Sequence, residues 1–363
     1  MQARRGAAPY VTTLVAVAVA LVVALMPRPA GLVERVYAAR LYPGIQAMMT
    51  TASNAVPVAL FDIAIVTGAA GGLWLWACAL TRARRTRTAR PLVAAARVTV
   101  TVAAAGYLWF VAIWGLNYAR PPLDTRLGLP VGPATAEEVA ALLDLAVAGA
   151  NRWFGPAHAD RRVPYDAERD IAVALHAVEA RQGRPRPTVP GRPKPTLLAP
   201  YFRMAGVDGL TAPAALETLL NPDLTAAERP FVLAHEWAHL AGYAPEADAN
   251  FVAWLVTMEA SADAASRYSG WLFLVSETAV QVPAEGRRAR TALLGEGPRR
   301  DLAAIAARAS QHVDFVQRVG WRVYDGYLRS QGVGEGVVSY SRVVELIVRA
   351  QRRLSPAPQA MPQ

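Results

Sequence analysis

The chain opens with three long uncharged stretches and then changes to a mixed pattern of helical period. Gly6–Pro27 is a run of 22 uncharged residues, Ile63–Thr81 one of 19 and Val98–Ala119 one of 22. About 20 apolar residues in a helix cross a hydrocarbon core of about 30 Å, so the runs predict membrane helices at about 6–27, 57–81 and 98–119. Tyr107, Trp109, Phe110 and Trp114 gather towards the end of the third run, as in an interfacial aromatic belt. Arg4 and Arg5 precede the first run as they would in a secretory signal. That run is long for a signal, however, and no small-residue cleavage site follows it closely, so it reads as an uncleaved helix.

Beyond residue 120 the apolar positions recur at helical spacing. Ala136–Ala150 is introduced by Thr135, with Glu137 and Glu138 in its first turn, and Asp166–Arg181 reads as another helix. Pro213–Leu220, the segment around Phe231–Leu240, Asn250–Tyr268, Asp301–Val319 and Val338–Arg352 continue the helical pattern. Arg184–Pro200, rich in proline and arginine, reads as an extended surface segment or linker; its alternative is an edge that holds a peptide. The expected organisation is a membrane anchor over 1–119, one mainly α-helical domain over 120–354 and a disordered tail over 355–363.

Charge adds an orientation. Arg82, Arg84, Arg85, Arg87, Arg90 and Arg97 lie between the second and third runs with no acidic residue, whereas Arg28, Arg35 and Arg40 before the second run share their segment with Glu34. Basic residues accumulate on the cytoplasmic side, which puts the N-terminus inside and the large domain outside. The net charge of +10 resides largely in that arginine loop. Topology and anionic headgroups therefore account for it without a nucleic-acid partner. Cys78, the single cysteine, lies within the second run, which excludes an intrachain disulfide. Asp62 is the one acid close to hydrocarbon; it reads as a hydrated or arginine-paired interfacial residue, with a functional role as the alternative.

The chemistry concentrates in His235-Glu236-Trp237-Ala238-His239. Residues i and i+4 share a helix face, so both imidazoles can converge on a tetrahedral Zn2+ while Glu236 takes a proton from the water that the metal activates. Phe231, Val232, Leu233, Trp237 and Leu240 supply apolar bulk, and Pro230 sits where a first helical turn tolerates it. Gly242 can end the helix and turn the chain, so that Glu246 opens a second helix and completes a two-His, one-Glu ligand set. Asn250, one turn further, can support a ligand histidine. Glu259, in Glu259-Ala260-Ser261-Ala262-Asp263, is the rival third ligand, because Glu-x-x-x-Asp spacing occurs in glutamate zincins.

His235-Glu-x-x-His239-x-x-Gly242, Glu246-x-x-Ala249-Asn250-Phe251 and Arg267-Tyr268-Ser269-Gly270 together resemble an uncharacterised bacterial family of membrane-anchored zinc metallopeptidases built on a domain of unknown function. Trp114-Gly115-Leu116-Asn117-Tyr118, Val323-Tyr324-Asp325-Gly326-Tyr327-Leu328 and Ser339-Tyr340-Ser341 look like further signatures of that family. Members often carry a second glutamate where this chain has Asp248. The resemblance implies a zincin-like domain outside a bacterial cell membrane, and an activity that the family itself owes to its motif. It also makes Tyr268 the first candidate for stabilising the oxyanion of amide hydrolysis, with Tyr243, His312 and Tyr324 in reserve.

Three functions fit these residues. A membrane zinc peptidase would act on a protein or peptide with Glu236 as base. A catalytically silent zinc-stabilised module would bind an envelope partner. A non-peptidase amide hydrolase would act on cell-wall or lipid-linked substrates. Glu236 favours the enzymes, since a structural zinc needs no base. The sequence leaves oligomeric state open.

Overall fold

The computed structural model describes residues 3–159, 164–259, 263–330 and 342–354; Ser339-Tyr340-Ser341 and the expected tail therefore lie outside the described residues. Leu60–Thr86 and Arg90–Ile113 are each long and apolar enough to cross a membrane, and Tyr10–Leu25 becomes a third span if joined to Ala30–Asn54 across a bend of 106°. The first and third helices run parallel. Arg97 lies over the Tyr10 ring, Thr13 meets Thr101 at 2.8 Å, and Arg28 reaches the Tyr107 hydroxyl at 3.2 Å. The second helix runs back against the third, with Trp76 donating to Thr99 at 3.2 Å. Arg87, in the left-handed region at φ 53°, makes the short turn between them. The N-terminus and the arginine loop thus share one end of the bundle.

The third apolar run does not stay helical throughout. Its α-helix stops at Ile113, and Gly115–Ala119 tightens into a 3-10 turn. Trp109 is exposed, as a belt residue would be, but Trp114 is buried.

After the first helix, Val33–Leu41 winds as a π-helix and Tyr42–Asn54 as an α-helix, here called the collar helix. Tyr42, Gln46, Thr50 and Ser53 recur at helical spacing and are buried together against the large domain. Gln46 exchanges hydrogen bonds with the backbone of Val189, and Thr50 donates to the Leu216 carbonyl at 2.9 Å. The segment before Leu60–Thr86 therefore belongs to the same core as residues beyond 120.

Helices Ala136–Ala159, Pro164–Arg181, Arg229–Leu240, Glu246–Glu259, Ala264–Ala279 and Arg342–Leu354 form most of that core. Three expected helices are corrected. Pro213–Leu220 is a turn followed by strand β2 (Glu217–Leu220), which pairs antiparallel with β1 (Gly209–Ala212). Asn250–Tyr268 is broken: one helix ends at Glu259, and the next starts at Ala264 with Asp263 as its N-cap. Asp301–Val319 likewise divides into Glu296–Ala309 and Asp314–Ser330.

Arg184–Pro200 is extended but not a free linker. Lys194 bridges to Leu219 on the side of β2 away from β1. Its ammonium, 1 % exposed, lies 2.7 Å from Glu217, which is fully buried. Glu217 also accepts from Ser53 Oγ at 2.9 Å and from the backbone N–H groups of Leu60 and Phe61 at 2.9 and 2.8 Å, which open the second span. Asp62 accepts from Thr196 Oγ and the Leu197 N–H, both at 2.7 Å, so it pairs with the large domain rather than with an arginine.

Candidate metal centre

The metal helix, Arg229–Leu240, buries nearly every residue, and Pro230 sits in its first turn. Its end follows from the sequence. Gly242 takes φ +82°, and its N–H bonds the His239 carbonyl at 2.7 Å while the Tyr243 N–H reaches the Ala238 carbonyl at 3.1 Å. This is a Schellman termination, open to glycine because it has no side chain to strain. The turn returns the Tyr243 carbonyl to His239 Nδ1 at 2.8 Å and delivers Glu246 to the start of the next helix. The helix's last carbonyls find distant partners. The Tyr42 hydroxyl donates to Leu240 at 2.9 Å, Arg184 to Ala241, and Arg120 to Gly242 at 2.9 Å. Two cations at a helix C-terminus also oppose its dipole favourably.

His235, His239 and Glu246 converge, with one ligand atom from each lying within 4.8 Å of the others. Glu246 Oε2 stands 3.3 Å from His235 Nε2 and 3.6 Å from His239 Nε2. Burial pushes the Glu246 carboxyl up, but the two imidazoles outweigh it and hold the group well below the usual carboxylate range. Burial likewise acts to lower His239, yet Glu246 and Glu236 beside it raise the imidazole to about 9. The cluster thus favours a cation among its members. His235 turns its Nε2 to Glu246, and its Nδ1 is buried without a hydrogen-bond partner among the described residues. Two imidazoles and a carboxylate suit zinc as a donor set, and the His239 Nδ1 contact to a carbonyl leaves Nε2 free to ligate.

Glu236 is buried beside the triad, and burial raises its carboxyl above the ordinary value despite the imidazoles and Thr211. Thr211 Oγ on β1 lies 2.8 Å from Glu236 Oε2. Gly209, two residues earlier, makes room for the carboxylate: a Cβ there would stand 2.5 Å from Glu236 Oε1. β1 also presents backbone outward. The Asp208 carbonyl accepts from Asn221 at 2.8 Å, so by alternation the N–H and C=O groups of Gly209 and Thr211 point away from β2.

The other candidates fall elsewhere. Glu259 pairs with Arg181 at 2.9 Å on the surface, away from the triad. Asp248 faces Arg126 at 3.3 Å, and burial raises it to about 6 in spite of that cation. Asn250 lines the cavity beside the triad. The Tyr268 hydroxyl turns to Asp301 at 2.6 Å, among Phe154 and His158, and does not line that cavity. Tyr243 contributes its carbonyl, while its hydroxyl bonds Gln182. His312 lies beside Asp314. The side chain of Tyr324 is outside the described residues.

Sequence reasoning missed several neighbours. Trp114 packs edge-on against His239 with ring centroids 6.0 Å apart; its position at the end of an apolar run suggested only an interface. Arg308 clamps Glu228 at the start of the metal helix, at 2.7 and 2.9 Å, and Asp208 before β1 at 2.7 Å. No local spacing announces such a contact. A cavity of about 810 Å³ runs from the triad along β1 to Phe61 and Ile65 on the second span.

No curated protein and no solved structure was found to be similar to this chain. A family model matches residues 37–348, which takes in the collar helix, the second and third spans, β1 and β2, and the whole triad. On that extent, the chain belongs to the family described as "Protein of unknown function (DUF3810)".

Proposed function

We propose that this protein is a membrane-anchored zinc hydrolase that cleaves amide bonds, with peptides as the first substrate class. The convergence of His235, His239 and Glu246 at the end of an apolar cavity, with Glu236 beside them, carries this reading. Zinc held by these three residues would supply a Lewis acid that activates water and polarises the amide carbonyl. Glu236 accepts the proton of the attacking water and passes it to the departing amine, so the C–N bond breaks as a C–O bond forms and no proton is lost. Gly209 and Thr211 offer outward backbone groups that can hold an extended chain. The parallel first and third spans, with the arginine loop at the end opposite the metal centre, support three crossings, a cytoplasmic N-terminus and an extracytoplasmic site.

The decisive experiment compares wild type with Glu236→Gln in the full chain. Zinc content and fold should persist while turnover falls by roughly two to four orders of magnitude, the range for a lost proton-transfer group. Unchanged turnover would remove Glu236 as the base. Normal zinc with no amide cleaved by wild type would leave a zinc-stabilised binding module.

A further inference from the structure

We propose that the cavity receives an acyl chain, so that the amide reaching the metal belongs to a lipid-anchored substrate that enters sideways from the outer leaflet. The inference rests on the amide-hydrolase reading and adds to it the class of substrate.

The cavity has two chemically distinct ends. At one lie Glu236, the triad, Asn250 and the free edge of β1. Elsewhere the lining is mainly apolar, through Leu210, Val207, Phe202 and Leu198 to Phe61 and Ile65, although Asp208, Glu228, Glu277 and Gln317 also face it. Ile65 is five residues into the second span helix, about 7.5 Å along its axis at 1.5 Å per residue, and inside the uncharged run Ile63–Thr81. The mouth therefore opens beside the membrane-crossing part of the helix. The surface around it agrees: Val58, Leu197, Tyr201 and Met204 are all exposed apolar residues. Leu197 is tied to Asp62 at the start of the same helix. An apolar rim of this kind is a liability in water and is at home in the interfacial layer of a bilayer.

The lining also discriminates between hydrophobic occupants. A membrane-spanning peptide would bring N–H and C=O groups into a stretch that offers them little, and each unsatisfied group there costs several kilocalories per mole. Its helix, about 10–12 Å across, would also have to unwind to reach the triad. An acyl chain carries no such groups. Its amide head would be held at the metal end, because of the other polar groups on the lining Asp208 and Glu228 are already taken by Arg308, and Ser269 bonds the backbone of Phe231 and Glu228. A volume of about 810 Å³ lies within the roughly 300–1,000 Å³ of small-molecule sites.

The test uses the full Glu236→Gln chain, loaded with zinc, in nanodiscs of phosphatidylethanolamine and phosphatidylglycerol. Acetyl, octanoyl and palmitoyl amides of one amino acid are the ligands, and a palmitoyl amide with a terminal diazirine is the photoprobe. Affinity should rise by about fourfold per buried methylene until the cavity is full, and the label should fall on Ile65, Leu198 or Tyr201. Ile65→Trp, at a half-exposed position that tolerates substitution, should weaken palmitoyl binding by about tenfold or more, the equivalent of two methylenes, and leave the acetyl amide unchanged. Affinity independent of chain length, label outside the cavity, or equal competition by an unlipidated membrane-spanning peptide would overturn the proposal. Wild-type turnover then separates the two readings. Chain-length-dependent binding without hydrolysis keeps the acyl site and removes the amide hydrolase. Equal hydrolysis of acetyl and palmitoyl amides does the reverse.

Discussion

Removing the Glu217 carboxylate should uncouple the membrane anchor from the sheet that edges the metal site. Glu217→Ala leaves the Lys194 ammonium, 1 % exposed, without its only carboxylate partner at 2.7 Å among the described residues. It also strips the acceptor from the Leu60 and Phe61 N–H groups and from Ser53 Oγ. Breaking a buried ion pair from one side typically costs about 3–5 kcal/mol. At about 2–4 °C per kcal/mol for a domain of 150–250 residues, Tm should fall by roughly 6–20 °C. The assay is thermal unfolding of the detergent-solubilised full chain, followed by near-UV circular dichroism. The control is Glu217→Leu combined with Lys194→Met, which removes both charges and should recover much of the loss, since an apolar pair of similar volume often replaces a buried ion pair without penalty. Acidification gives a second signature. Burial pushes the Glu217 carboxyl up, but Lys194 and the backbone donors outweigh it and hold the group below its ordinary value. Its contribution is therefore complete above the unfolded-state pKa, near 4.5, and is lost as pH falls through the lower folded value. Glu217→Ala should abolish that part of the acid dependence. A Tm within 2 °C of wild type for Glu217→Ala, or a double variant no more stable than the single one, would refute the reasoning.

Further outcomes follow from the same geometry. Gly209→Ala puts a Cβ 2.5 Å from Glu236 Oε1, so the carboxylate must shift by nearly 1 Å; amide turnover should fall about a hundredfold with zinc content unchanged, as metal analysis would check. Gly242→Ala meets both φ +82° and a contact of 2.9 Å with Asn117 Oδ1, and should lower both Tm and zinc retention by disturbing the return of Glu246. His239→Ala and Glu246→Ala should lose zinc in dialysis against a chelator while Glu259→Ala keeps it; retention in His239→Ala would sink the site. Reporter fusions after Arg87 should read cytoplasm and fusions after Ser355 the outside, and the reverse would move the metal centre to the other face.

The parts of the fold that were legible in the sequence are those set by local periodicity. The second and third spans announce themselves by uncharged length, and His235, His239, Gly242 and Glu246 by positions that a helix and its termination fix within a dozen residues. What escaped depends on partners far along the chain. Glu217-Thr218-Leu219-Leu220 becomes a strand only because β1 and Lys194 flank it, and four residues carry too little pattern to say so. Tyr268 sits in a segment that resembles the family, yet which helix face meets the cavity is decided by packing, and its hydroxyl turns to Asp301. The collar helix fell within the segment assigned to the membrane anchor because its buried face is drawn with Tyr42, Gln46, Thr50 and Ser53, polar-tipped residues rather than aliphatic ones.

The partners of the last carbonyls of the metal helix also set an order in time. Tyr42 precedes Leu240 by 198 residues and Arg120 precedes Gly242 by 122. At roughly 5–20 residues per second of translation, Tyr42 waits about 10–40 s for its acceptor to be made. The terminal turn that aims His239 and Glu246 is therefore completed late, on a chain whose anchor helices already exist and have brought Tyr42 and Arg120 to the same place. What the distant residues add is acceptor satisfaction: Tyr42 takes the Leu240 carbonyl and Arg120 that of Gly242. The local bonds of the turn need none of these partners, but its outer carbonyls are satisfied only after the first 120 residues have packed against it.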